Sequence, residues 1–267
     1  MTGPMPGGAA GERGTGERTA DGAGDPQGPA YYATGPTGLR RDVVALLHPP
    51  YTAWHLSYVL LGALVVRSVN WGILGATVLA FFLAVGVAAH ALDELRGRPL
   101  STTLPSWSLV ASAAVALGGA AAIGVIGVLR IGPGLVAFVV VGAVLVVGYN
   151  LELFGGRIHT DLGFALAWGA FPVVTAAYAQ ARSIPPAAVA MAAAAALMSG
   201  AQRSLSTPAR TLRRHVSSVE GTVTMRDGST LSVDRRILLA PLESALRLLS
   251  WTALALALSL VLVHLWV

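Results

Sequence analysis

Seven stretches of this chain contain no Asp, Glu, Lys or Arg, and they dominate what it can fold into. They cover residues 43–66, 68–92, 99–129, 131–151, 162–181, 183–202 and 248–267. A helix needs roughly 20 mostly apolar residues to cross about 30 Å of hydrocarbon, and each stretch reaches that length. A soluble core would have to bury seven such helices with almost no amphipathic stripe among them. The expected fold is therefore all-α, a polytopic transmembrane bundle of about seven helices. Its spans fall near 51–67, 71–92, 107–129, 132–150, 162–181, 185–203 and 247–267. His48-Pro49-Pro50 interrupts the first stretch, so that span starts near Tyr51, with Pro50 close to the first helical position.

Composition agrees. Only 12% of residues are charged, against about 25% in a soluble domain. The 31 glycines and many alanines allow close backbone approach, which matters where apolar burial no longer drives association. The absence of cysteine excludes disulfides, thiol catalysis and zinc-thiolate sites. Residues 1–38 are rich in Gly, Pro, Thr and Ala and are expected to form a disordered tail. They lack the apolar segment of a signal peptide. Residues 39–267 are expected to form the transmembrane domain.

The arginines orient the bundle. With the N-terminus cytoplasmic, fifteen arginines fall inside and only Arg67, Arg130 and Arg182 outside, a clear positive-inside bias. All thirteen acids fall inside as well. The net charge of +5 then reflects topology, and no nucleic-acid partner is expected. Between the sixth and seventh spans, 222–226 and 230–233 alternate around Asp227-Gly228. That pattern predicts a small β-hairpin within 221–235, closed by a type I′ turn. Residues 237–247 read as an interfacial lead-in to the last span.

Three polar clusters lie at the inner ends of spans. His90, Asp93 and Glu94 stand at i, i+3 and i+4 and share one helical face, suited to a divalent cation. Arg96 and Arg98 follow and suit phosphate oxygens. A solvated, internally paired helix end would use the same residues. The second cluster runs from Tyr149, Asn150 and Glu152 through Gly155-Gly156-Arg157 to His159, Thr160 and Asp161. Thr160 or Asp161 can cap the next helix, which leaves Glu152 and His159 unexplained. The third holds Gln202, Arg203, Ser204, Ser206, Thr207, Arg210, Arg213 and Arg214. It reads either as a topology signal or as an anion site for a phosphorylated head group.

The layout over roughly residues 46–214 resembles the UbiA superfamily of intramembrane prenyltransferases. His48-Pro49-Pro50-Tyr51-Thr52 is similar to that family's basic-Pro opening. His90-Ala91-Leu92-Asp93-Glu94 stands where the family carries Asn-Asp-x-x-Asp, with Glu94 on an acidic position. Tyr149 and the loop 155–161, followed by Gly169-Ala170-Phe171-Pro172, match the family's fourth and fifth helices. Its second acidic motif is replaced here by Ser and Arg within 202–210. The resemblance implies an active site at the inner ends of these helices, where Mg²⁺ helps a prenyl diphosphate ionise. With one acidic motif missing, either a single metal and arginines share that work or the chemistry is changed.

The expected function is thus transfer or processing of a prenyl group from an isoprenoid diphosphate. Asp93, Glu94 and Asp161 are the candidate catalytic residues. Arg96, Arg98, Arg157, Arg203 and Arg210 are the candidate diphosphate ligands, and Asp93, Glu94, His90, Glu152 and His159 the candidate ligands of Mg²⁺. The alternatives are a non-catalytic lipid- or quinone-binding or scaffold protein, and a His/carboxylate metal-dependent membrane hydrolase. A small transporter ranks last, because the spans carry few polar groups at mid-depth.

Overall fold

The computed structural model describes residue 32, residues 38–153, 155 and 157, and residues 159–266. The expected disordered tail lies outside the described residues, apart from Tyr32 and Gly38. Among the described residues the chain is mostly helical. The helices are α1 (Leu39–Leu47), α2 (Pro49–Leu64), α3 (Trp71–Leu95), α4 (Ser106–Ile131), α5 (Leu135–Asn150), α6 (Asp161–Ala181), α7 (Pro186–Arg214) and α8 (Arg235–Trp266). A two-stranded antiparallel sheet, β1 (Gly221–Thr224) and β2 (Thr230–Val233), links α7 to α8.

Four helices, α3, α4, α6 and α8, are long and apolar enough to cross a membrane. They mark the chain as a membrane protein. Its surface agrees, since Val115, Leu129, Leu197 and Trp266 are almost bare, where a soluble protein would bury such groups. The seven expected spans are not all of this kind. Helices α2 and α5 have 16 residues each, about 24 Å of helix against about 30 Å of hydrocarbon. Helix α2 is enclosed instead, packed against α6 and α8 with Trp54, Tyr58, Val59 and Leu61 buried.

Close packing is set by small residues. A Cβ at Gly62 would lie 2.2 Å from the Val173 carbonyl oxygen, and one at Gly169 would lie 2.6 Å from that of Ala195. Only glycine permits α6 to approach α2 and α7 this closely.

Several boundaries differ from expectation. Helix α7 runs eleven residues past the expected end at 203, and Pro208 sits inside it. Helix α8 begins at Arg235, so the supposed lead-in is its first turns. The hairpin is present but its turn is not type I′. Only Gly228 has positive φ, at 85°, and the turn closes through Met225 N to Ser229 O at 2.8 Å and Gly228 N to Met225 O at 3.0 Å. That is a longer loop with a left-handed glycine, and Asp227 holds it by accepting from the Ser229 amide and hydroxyl.

Two helices widen locally into π-helical turns, Phe82–Ala89 within α3 and Ala165–Ala170 within α6. Such turns are rare and cluster at functional sites. Here they border the one region where the polar clusters meet.

Candidate functional site

The C-terminal ends of α3, α5 and α7 and the N-terminal parts of α2, α6 and α8 line a polar cavity of about 250 Å³. Along α7, Arg203, Ser206, Arg210 and Arg214 recur every three to four residues and so present one face to it. Facing them are His90 and Asp93 from α3, Tyr149 and Asn150 from α5, His159 and Phe164 at the start of α6, and His48, Tyr51 and Trp54 from the α2 side. The wall holds four arginines against two carboxylates, Asp93 and Glu243. Arg213 and Glu243 neutralise each other in a partly buried ion pair. Arg203 is held by Asp161, so the uncommitted positive charge belongs to Arg210 and Arg214.

Each candidate residue has a definite place. Asp93 is exposed to the cavity and makes no hydrogen bond or ion pair among the described residues. Glu94, one residue on, points away and is 0% exposed. Its Oε1 accepts from the Thr102 amide (2.9 Å) and hydroxyl (2.8 Å), and its Oε2 from the Leu100 amide (2.9 Å). Glu94 is thus the anchor of the α3–α4 loop and does not line the cavity. Asp42 does the same from α1, accepting from the Thr103 amide and hydroxyl at 2.7 and 2.6 Å. Burial pushes the Asp42 carboxyl up, but the Thr103 hydrogen bonds and Arg41 outweigh it and hold it below the usual carboxylate value.

Arg96 pairs with Glu152 at 3.1 Å on the surface and donates to the Leu151 carbonyl. Arg98 donates to the Leu104 carbonyl and to Ser106 Oγ, which closes its own loop. Arg157 is exposed outside the cavity wall. Asp161 accepts from Arg203 Nε at 2.5 Å, while the other end of that guanidinium donates to the Tyr149 hydroxyl at 2.9 Å and lies 5.2 Å from the Phe164 ring centroid. Thr160, not Asp161, caps α6, its Oγ1 accepting from the Gly163 amide. The His159 ring stacks on Tyr149 at 4.3 Å. Of the candidates, His90, Asp93, His159, Arg203 and Arg210 come together at the cavity. Glu94, Arg96, Arg98, Glu152, Arg157 and Asp161 do not line it.

Mg²⁺ favours carboxylate oxygens in near-octahedral arrangement. Among the described residues no group of three His, Asp or Glu side chains is placed to hold a metal. The carboxylates expected to supply it are committed elsewhere, Glu94 to the loop, Glu152 to Arg96 and Asp161 to Arg203. Asp93 alone does not make a cage, so this donor set does not fit the ion.

The cavity also holds residues that sequence patterns did not single out as a site. His48, between α1 and α2, adopts a left-handed conformation at φ 47°. Its ring lies 5.4 Å from that of His90 and 5.1 Å from that of Tyr51. Burial, reinforced by His90, drives the His48 imidazole well below its ordinary value, so the ring is neutral. His90 Nδ1–H donates to the Gly86 carbonyl at 3.1 Å, which leaves Nε2 as an acceptor in the neutral ring. Four buried polar atoms on the wall, His48 Nδ1, Trp54 Nε1, Gln202 Oε1 and Arg214 Nε, have no hydrogen-bond partner among the described residues. Orphaned buried polar groups are rare, and four on one wall mark a place where water or a polar ligand belongs. The His-Pro-Pro opening was the available signal for His48, and Gln202 stood at the head of the third polar cluster.

A second cavity of about 630 Å³ lies between α3, α4, α5 and α6. Its wall is almost wholly apolar, with Phe81, Phe138 and Phe171 among many Ala, Gly and Val. At its far end stand Asn70, Arg130 and Arg182. The two cavities share Val85 and Trp168, one from each π-helical turn. The widened turns therefore build the partition between a cationic chamber and an apolar one. No protein-family model, curated protein or solved structure matches the chain.

Proposed function

We propose that this chain is a divergent, UbiA-like multi-pass protein of the cell membrane that binds an isoprenoid diphosphate and transfers or processes its prenyl group. In this reading seven helices span the bilayer, the N-terminus is cytoplasmic, and the polar cavity opens to the cytoplasm. The observation that carries the proposal is the shared Val85–Trp168 partition. An amphiphile with an anionic head and a long apolar tail is the ligand class that fills both chambers at once. Arg203, Arg210 and Arg214 face the head, and the apolar chamber takes the tail.

The chemistry follows from that placement. The C1–O bond of the prenyl diphosphate breaks and its electron pair goes to the departing diphosphate oxygen. Fixed guanidinium charges in a water-poor cavity stabilise that developing charge. The allylic carbon is then taken by a nucleophilic atom of the acceptor, which loses a proton. Asp93 is the accessible carboxylate that receives it. Tyr51, Tyr149 and Trp168 line the space between, where aromatic faces can shield a cationic carbon.

A test is release of diphosphate from prenyl diphosphates by the purified protein, followed with and without an aromatic acceptor. Release that is lost in Arg210→Ala supports the reading. Tight lipid co-purification with no release at any chain length favours a non-catalytic lipid- or quinone-binding relative. The ion-paired state of Glu152 and Asp161 favours that second reading over a metal-dependent hydrolase.

A further inference from the structure

We infer that the diphosphate head is held by arginine alone, with Arg210 and Arg214 in the place that metal ions would take, so that binding is independent of divalent cations. This rests on the reading above and goes beyond it.

Of the acids that a metal would need, all but Asp93 are spoken for. Glu94 lies outside the cavity with three hydrogen bonds, and Glu152, Asp161 and Glu243 are each paired with an arginine. Two of the four arginines on the wall are in the opposite condition. Arg214 has a buried Nε without a partner among the described residues. Arg210, one helical turn before it, makes among the described residues only a long contact to Thr207 Oγ1 at 3.4 Å. Burial, and then the neighbouring Arg210, press the Arg214 guanidinium below its ordinary value, a cost that a bound anion would relieve. His48 Nδ1, also unpartnered, lies on the same wall and donates to an anion when it carries the ring proton. Two adjacent guanidinium forks can each bond phosphate oxygens bidentately, and their charge needs no titration or recruitment. Asp93, on the same wall, opposes the diphosphate in its ionised form.

The experiment is equilibrium binding of farnesyl diphosphate to the full chain in detergent, in excess EDTA and in excess Mg²⁺. Metal-independent binding predicts dissociation constants within about threefold of each other, since guanidinium–phosphate pairing is intrinsic to the protein. Arg210→Gln with Arg214→Gln weakens binding at least about tenfold in both media, each charged hydrogen bond being a sizeable term. Asp93→Asn tightens binding severalfold by removing the facing negative charge, yet abolishes turnover. A metal site gives the opposite signature, with binding lost in EDTA and lost again in Asp93→Asn, and either result overturns the inference. Binding seen only with Mg²⁺ refutes the inference and leaves the proposed function standing. No binding in either medium refutes both. Unchanged thermal melting of each variant separates these outcomes from misfolding.

Discussion

The two chambers of this bundle share helices α3, α5 and α6 and divide their labour by sequence. The polar chamber draws its wall from helix ends, where arginines, histidines and tyrosines alternate with small residues. The apolar chamber draws on the middles of α3 to α6, where Ala, Gly and branched aliphatics predominate, the hydroxyls of Thr77 and Thr175 are spent on backbone carbonyls, and Asn70, Arg130 and Arg182 stand at the far end. The polar chamber is rimmed by strained backbone. Four of the five non-glycine residues with positive φ among those described, His48, Arg98, Ser101 and Glu152, lie at its end of the molecule. Such conformations cost roughly 1–3 kcal/mol each and persist where the surroundings hold them, commonly at functional sites. The apolar chamber is walled mainly by helix middles spaced by glycine, with a positive φ on a non-glycine residue only at Arg182 among the described residues. One region is preorganised for charge, and the other is shaped only for volume.

Breaking the comparison at the charged end should have the largest effect. Replacing both Arg210 and Arg214 by alanine is expected to weaken prenyl diphosphate binding by about a hundredfold, the scale of two charge-assisted bonds, while a prenyl alcohol binds within about twofold of wild type. Titration calorimetry with the paired ligands would show this split. Filling the apolar end should invert it. Gly142→Leu intrudes on the apolar chamber, where even a Cβ would stand 3.4 Å from the Phe171 ring. It is expected to cost about tenfold in affinity for long chains, a loss of several methylene contacts, with inorganic pyrophosphate binding untouched.

A third substitution separates framework from site. Glu94→Gln should lower stability by about 1–3 kcal/mol, because a buried acceptor of three hydrogen bonds loses its charge. Thermal melting would report that loss, and diphosphate affinity in the folded fraction should stay put. The smallest expected effect concerns Asp42. Its carboxyl lies below the ordinary value in the folded state, so its contribution to stability is complete above about pH 4 and fades as pH falls through the folded value. Melting curves below pH 5 should fall less steeply in Asp42→Asn than in wild type.

The helices were legible because charge-free length is a one-dimensional property. The course of α7 was not. Ser204, Ser206, Thr207 and Pro208 read as a loop, yet the helix continues through them, because packing against α8 and the Arg213–Glu243 pair outweigh local propensity. Asp227-Gly228 announced the hairpin, but the turn type depended on the conformation of Asp227, which adjacent strands leave open. At the site, the i, i+3 spacing of His90 and Asp93 did place both on the cavity. The same spacing suggested Glu94, and there it failed. Helical periodicity locates a residue on a face, but which face meets a cavity is decided by a loop folding back, here the one carrying Leu100 and Thr102. His48 belongs to the site through its ring contact with His90 of a distant element, which no short motif encodes.

The most direct measurement is photo-crosslinking with a prenyl diphosphate that carries its reactive group at the far end of the chain. With the head in the polar chamber and the tail past Val85 and Trp168, label should appear on peptides of α4 and α5 around Gly124, Val139 and Gly142, and should be displaced by excess unlabelled diphosphate. Label confined to α8, or spread over the lipid-facing surface without displacement, would contradict the two-chamber mode of binding.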